Sequence, residues 1–557
     1  MYRMKKILQK NIMLLIIVLL AFVLRVYNLG SLPPSLTWDE VSWGYNGYSL
    51  GNDLRDEFGE FLPIQYLESF GDFKPPVYAY LTAVSEKVIG LNEFAVRFPS
   101  ALAGTLTVFL TYFLIKRIIP DKKNIRILRF EINISLLTTF ILAISPWHIL
   151  LSRAAFEANV ATLFIVLGVY LFFVFIERNK IFFILSVLSF IISAYTFNTA
   201  RIVAPVLLLS LCIGHYRTLF LRKKSVLIAF VIGFIVVLPL LLFMKSPQAK
   251  LRYQEVNIFS DIGIIERVNQ QHVNNNEALW SRVIQNRRLA YGAEYVRHYF
   301  DNLTPSFLFI KGDGNPKFSI QDVGQMYLWE IPFFIGGILL LFRRRSGSWW
   351  AIPIWILIGI APAATARETP HALRIETIIP LFQFFTAYGM IYFLSYIQDS
   401  VKNKITRTLI FGSMGLIIVA NFTFFMHNYF FHYAREFSGE WQYGYKEVVH
   451  FTESVKSNYQ NIFFTEKMGR PYIYVLFYGK YDSKLFRQNA IVEREALGFV
   501  TVKKFDKYTF TKDPGQYANE EGKNLFVDVP SNIPADAIVK ERVKLLNGQD
   551  AFVIYEK

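Results

Sequence analysis

Cysteine is nearly absent: Cys212 stands alone among 557 residues. An intramolecular disulfide is therefore excluded, and so is a metal cage built from thiolates. Charge is also scarce. Only 18% of residues are Asp, Glu, Lys or Arg, against about 25% in an ordinary soluble domain. Acidic residues are the rarer sign, 43 against 59 basic ones, which leaves a formal net charge of +16. Such an excess would suit nucleic acid if it lined one face among stacking aromatics. It falls instead in short clusters between apolar runs, as in the connections of a membrane protein, so no nucleic-acid partner is expected. No Gly-rich phosphate loop, His-x-x-x-His pair or Ser-His-Asp order stands out. Heptads, short repeats, low-complexity tracts and the inverted halves of a transporter are missing too.

Apolar sequence is what abounds: 53% of residues are hydrophobic and 17% aromatic. A membrane span takes about 20 mostly apolar residues. Eleven such stretches are expected, near 12–29, 98–115, 132–151, 158–176, 181–197, 202–214, 226–244, 326–342, 349–364, 375–397 and 408–427. The opening "MYRMKKILQKNIMLLIIVLLAFVL" has the basic start and apolar core of a signal peptide. No small-x-small cleavage site follows it, which predicts an uncleaved first span. With the basic N-terminus cytoplasmic, the basic connections "KRIIPDKKNIRILR", "ERNK", "HYRTLFLRKK", "RRRSGS" and "QDSVKNKITR" all fall on the cytoplasmic side. The long segments 30–97 and 245–325 are then outside, as is the C-terminus. The expectation is a polytopic α-helical protein of the cell membrane.

From Asn428 onward the character changes. Short alternating runs appear ("NIFFTE", "VTVKKFDKYTF", "NLFVDV"), and "IVKERVKLLNGQDAFVIYE" carries an Asn-Gly hairpin turn. "WQYGYKEVVHFTESVKSNY" has helical spacing. These features predict an extracytoplasmic α/β domain over 428–557, after a transmembrane part over 1–427.

Chemistry-bearing residues gather on the outer side. Asp39 and Glu40 follow the first span, and Asp72 and Lys74 lie further along the same loop, before a Pro-Pro pair. Arg97, Arg153, Arg201, His371 and Arg374 sit at the outer ends of spans. Basic residues there oppose the positive-inside bias, and they suit an anion, since guanidinium forks match phosphate oxygens. An acidic pair beside them suits a general base next to a phosphate leaving group. Each element also has a plainer reading. The acidic pair can cap a juxtamembrane helix, the arginines can snorkel to headgroups, and Lys74-Pro75-Pro76 can be a rigid turn. Glu330 and Glu376, within or beside spans, are functional suspects or bundle contacts. Two adjacent carboxylates, Asp39 and Glu40, can also hold a divalent cation.

Taken in order, the motifs resemble membrane glycosyltransferases of the GT-C fold, the group that includes the protein O-mannosyltransferases and the lipid A aminoarabinose transferase. "LPPSLTWDE", "FGDFKPPVYAYL", "VRFPSALAGTLTVFLTYFL", "SPWHILLSRAAFEAN", "YTFNTARIVAPVLLL", "GDGNPKFSIQDVGQMYLWEIPFFIGGILLL" and "TPHALRIETIIPLFQFFTAYG" carry the resemblance over roughly residues 1–430. It implies a polyprenyl-phosphate-linked sugar as donor and a glycan, lipid or protein hydroxyl as acceptor, with transfer on the outer face among membrane lipids. It implies that Asp39 is the catalytic carboxylate and Glu40 its partner, with Lys74 and the outer arginines at the donor phosphate. Phe73 stands where some relatives have Glu or His, so Asp72 is the candidate second acid. The rival reading is a flippase or transporter of a lipid-linked sugar. Charge clustered at one face, rather than near mid-membrane, favours the transferase.

Overall fold

The structure is a computed structural model that describes residues 2–120, 123–127, 130–249, 257–494 and 500–557. Parts of two expected connections, 121–122 and 128–129 in one and 250–256 in the other, lie outside the described residues. The chain forms two compact units. The first holds residues 1–25, 102–152 and 157–425, and the second holds 26–101, 153–156 and 426–557.

The first unit is helical. Each of the eleven apolar stretches is occupied by helix, but length separates them. Among the described residues five helices are long and apolar enough to cross a membrane: Glu93–Ile118, Glu157–Glu177, Lys223–Phe243, Glu376–Ser400 and Lys404–Glu436. A sixth is counted if Ile134–Ile144 and Pro146–Ser152, bent by 57° at their junction, form one span. Proline explains that bend, because it lacks the N–H for the helical ladder and its ring crowds the preceding turn. The remaining stretches are shorter. Ile181–Ala194 and Ala200–Gly214 have 14 and 15 residues, and at 1.5 Å per residue each falls short of a hydrocarbon core about 30 Å thick. The expected count of eleven full-length spans is thus not reproduced by length.

The second unit is built differently. It joins the first outer loop to the C-terminal residues, so the boundary expected at 427/428 does not coincide with its limits. Among the described residues its sheet has seven strands, in the order Ile538–Lys544, Asp550–Glu556, Asn524–Asp528, Asn461–Thr465, Tyr508–Thr511, Val500–Phe505, Ile491–Arg494. Asn461–Thr465 runs parallel to both its neighbours, and the other pairings are antiparallel. The alternating runs of the sequence became these strands. The Asn547-Gly548 turn joins two of them, with Gly548 at φ +91°. Tyr445–Val455 is the expected helix. Phe463, Phe526 and Tyr555 stack through the sheet core at centroid spacings of 5.3 Å.

The loop half of this unit contains α1 (Tyr2–Val26) only at its last residue, then α2 (Trp38–Asp53), a hairpin of β1 (Leu67–Ser69) and β2 (Asp72–Lys74), and α3 (Val77–Ile89). The helix α4 (Glu93–Ile118) begins here. Ion pairs Arg487–Asp53, Arg494–Glu68 and Lys446–Glu93 tie the loop to the C-terminal part. Packing tightens the union: a Cβ at Gly44 of α2 would come within 2.5 Å of Phe477 and 2.8 Å of Val96. The small residues of "WGYNGYSLG" are what let α2 approach its neighbours this closely.

Candidate active site

Helix α2 starts with Thr37 as its N-cap. The Glu40 N–H donates to the Thr37 hydroxyl at 3.4 Å, and the Thr37 N–H donates to Glu40 Oε2 at 3.0 Å. This capping box satisfies two backbone donors that a helix start otherwise leaves open. The cap is therefore not Asp39. Asp39 sits in the first turn, where a negative charge suits the helix dipole, and its side chain is 54% exposed.

The two adjacent carboxylates have opposite surroundings. Glu40 is 1% exposed. Besides the Thr37 amide, it accepts from Arg97 Nε at 2.9 Å, Arg97 Nη2 at 3.2 Å and the Ala155 N–H at 2.9 Å. Arg97 is itself fully buried. Its other N–H groups go to the carbonyls of Leu29 (3.2 Å), Pro33 (2.8 Å) and Ser35. All five donors of the guanidinium are thus used within the protein, which leaves no edge for a phosphate. Arg153 is also fully buried: its Nε donates to the Tyr429 hydroxyl at 3.1 Å and its Nη2 to the Leu32 carbonyl at 3.0 Å. The expected phosphate-binding role of Arg97 and Arg153 does not fit this placement; both hold the first loop in shape. Glu40 belongs with them, as the counter-ion of Arg97. Its oxygens are thereby engaged, which leaves the possible Asp39–Glu40 cation site without a free Glu40 oxygen. Among the described residues no group of three or more His, Cys, Asp or Glu could hold a metal ion.

Asp39 instead meets Lys74. The Lys74 ammonium donates to Asp39 Oδ1 and lies 5.3 Å from the Trp43 ring centroid and 5.2 Å from that of Phe70. Aromatic faces attract a cation, so the ammonium is held by two rings and one carboxylate. The hairpin sets its position. Phe70 (φ +59°) and Gly71 (φ +80°) form the turn, both in the left-handed region that tight two-residue turns require. Lys74 then stands opposite Leu67, and Asp72 opposite Ser69 at the turn.

Beside Lys74 lies an acidic neighbourhood that the loop sequence did not bring to notice. Glu57 is fully buried. It accepts from Asn46 Nδ2 at 3.2 Å and from the Tyr472 hydroxyl at 3.5 Å. Burial pushes its carboxyl up to about 8, with Asn46 and Lys74 opposing and Asp56 and Glu68 adding to the rise. Asp56 is raised to about 6, again by burial. The run "RDEFGE" is the only sequence sign of these acids.

The other expected anion ligands belong to the first unit. Arg201 Nε donates to the Ala194 carbonyl at 3.4 Å, and its guanidinium lies 5.6 Å from the Phe243 centroid. Arg374 Nη1 donates to the Glu368 carbonyl at 3.3 Å. The His371 ring packs on Phe318 at 4.8 Å, and its backbone N–H reaches Asn302 Oδ1 at 2.9 Å. Burial, and then the Arg374 cation, holds the imidazole well below its ordinary range. Asp313 accepts from the Ala372 N–H at 2.7 Å, and burial raises its carboxyl to about 6. His371, Arg374 and Asp313 are thus brought together, Asp313 within the quoted "GDGNPK" motif.

Over 97% of both chains, the structure matches ArnT from Cupriavidus metallidurans bound to undecaprenyl phosphate, at a TM-score of 0.54 and 10% identity. The fold is GT-C-like. Residues 15–248 match the family model for dolichyl-phosphate-mannose-protein mannosyltransferase. A protein of Aquifex aeolicus without a functional name is 31% identical over 192 residues, 34% of this chain and 35% of that one. YkcB of Bacillus subtilis, whose name assigns it provisionally to the mannosyltransferases, is 25% identical over 229 residues, 40% of this chain and 29% of that protein. The matched stretches span about a third of these relatives' lengths. A GT-C-like fold with these apolar helices makes the chain a multi-pass membrane protein.

Proposed function

We propose that this protein transfers a sugar from a polyprenyl-phosphate-linked donor to an acceptor hydroxyl on the outer face of the membrane, with Asp39 as general base. The observation that carries the reading is the contrast within the acidic pair. Glu40 is buried and its oxygens are engaged, whereas Asp39 is half-exposed in the first helical turn and bonded to a lysine. An exposed carboxylate so placed can take the acceptor's proton as the hydroxyl attacks the anomeric carbon. The bond from that carbon to the phosphate oxygen then breaks, and the electron pair leaves with polyprenyl phosphate. Lys74 stands next to Asp39, where its charge can stabilise the negative charge gathering on the leaving phosphate. The fold similarity to a transferase whose structure holds undecaprenyl phosphate supports a lipid-phosphate donor, and the family match over residues 15–248 supports a hexose such as mannose. Within the first unit, His371, Arg374 and Arg201 are candidate anion ligands.

The test is Asp39→Asn. Asparagine keeps the shape and much of the hydrogen bonding but cannot accept the proton. General bases contribute about 10²–10⁴-fold, so consumption of polyprenyl-phosphate-linked hexose by the purified variant should fall at least about 100-fold. The cap is formed by Thr37 and Glu40, so the unfolding temperature should stay near that of the natural protein. Transfer at the natural rate would remove Asp39 from the chemistry.

A further inference from the structure

Arg97 and Arg153 are buried and bonded to the protein itself, whereas the Lys74 ammonium gives one of its N–H donors to Asp39. Another cation, Arg470 of the C-terminal residues, reaches the Phe70 ring that Lys74 approaches. The segment "EKMGRP" leads from the end of strand Asn461–Thr465 into the helix Pro471–Tyr478. Its Gly469 has φ +127°, and a Cβ there would come within 2.8 Å of the Trp38 indole. The segment therefore lies directly on the residue before Asp39. Next in the chain, Arg470 places its guanidinium 4.9 Å from the Phe70 centroid, and Phe70 is the same ring that Lys74 approaches at 5.2 Å. Sharing one ring keeps the two cations within about 10 Å of each other.

Arg470 differs from the buried arginines in one respect. It is half-buried, and among the described residues no carboxylate or carbonyl accepts a hydrogen bond from it; its ring contact with Phe70 is what holds it. Its fork is therefore free to receive an anion, and a guanidinium takes phosphate oxygens two at a time. The backbone limits its motion, since Gly469 precedes it in a turn that only glycine fits and Pro471 follows it at the first position of a helix. Tyr472, two residues on, bonds to Glu57, which anchors the same segment on the side facing the acids.

We infer that Arg470 is a phosphate-binding residue of the donor site, so that the C-terminal sheet domain completes a site whose base lies in the first loop. This rests on the lipid-phosphate donor proposed above. The occupant is the phosphate of the polyprenyl carrier, held by the Arg470 fork.

The experiment measures binding of polyprenyl phosphate, with the uncharged polyprenol as control, to the full-length purified protein and to Arg470→Gln and Arg470→Lys. Glutamine has neither the charge nor the fork for a bidentate phosphate bond, so polyprenyl phosphate binding should weaken about 10- to 100-fold while polyprenol binding stays unchanged. Lysine keeps the charge without the fork and should lose only part of that. An Arg470→Gln protein that prefers the phosphate as strongly as the natural one overturns the assignment and leaves the donor reading intact. If the natural protein binds polyprenol as well as polyprenyl phosphate, the donor reading itself fails, and Arg470 with it. Should the glutamine variant be recovered poorly, the lysine variant decides: a several-fold loss supports the assignment, and none overturns it.

Discussion

Glu40→Gln separates a structural carboxylate from a chemical one. Four donors converge on the two Glu40 oxygens: Arg97 Nε at 2.9 Å, Arg97 Nη2 at 3.2 Å, the Ala155 N–H at 2.9 Å and the Thr37 N–H at 3.0 Å. Glutamine offers one oxygen, so its amide N–H₂ must face at least one of these donors. The charge vanishes as well, and Arg97 is left fully buried without its counter-ion. Breaking a buried ion pair on one side costs about 3–5 kcal/mol. The Asp39–Lys74 pair is open to solvent on its Asp39 side, so water screens it and it is worth less to folding, on the order of 1 kcal/mol. Thermal unfolding of the purified proteins in detergent should therefore show a drop of several degrees for Glu40→Gln and little change for Asp39→Asn. Replacing both partners, as Glu40→Met with Arg97→Met, should restore part of the loss, because no unpaired charge then remains. A Glu40→Gln protein that unfolds at the natural temperature yet fails to transfer sugar would refute the reasoning and return Glu40 to the chemistry.

Glu57 sets a pH dependence. An unfolded chain ionises this carboxyl near its ordinary value of about 4.5, whereas the folded protein keeps the proton until about 8. Across that window the folded state binds more protons, so stability is full at the acid end and falls as pH rises. Glu57→Gln should flatten the change in unfolding midpoint between about pH 5 and about pH 8; an unaltered slope would show that Glu57 does not govern it. Gly469→Ala places a side chain against Trp38 at a backbone angle few residues adopt. Transfer should fall by about tenfold or more, from a shift of the segment worth roughly 1–2 kcal/mol, with the sheet domain still folded by circular dichroism. Normal turnover would mean that the segment does not need its place on Trp38.

Much of this protein could be read from its residues in order. Apolar runs located the helices, alternation located the strands of the C-terminal sheet, and Asn547-Gly548 marked a hairpin, because each of these depends on neighbours a few positions apart. The motif "LPPSLTWDE" stood out as a candidate catalytic stretch through its resemblance to a family motif. What adjacency could not reveal was that Asp39 and Glu40, side by side in the chain, point to different worlds. One faces the exposed side with Lys74, and the other is sealed against Arg97 and Ala155, residues 57 and 115 positions away. Successive residues on a helix project about 100° apart, so a shared motif says nothing of a shared environment. The arginines at span ends looked alike in sequence for a related reason: whether a guanidinium is consumed or free depends on which carbonyls the fold brings to it. The union of the first loop with the C-terminal sheet, and with it the placement of Arg470 on Phe70, was likewise decided by tertiary structure alone. Close packing at Gly44 and Gly469 and ion pairs between residues hundreds of positions apart make that union, and contacts of that range leave no local pattern.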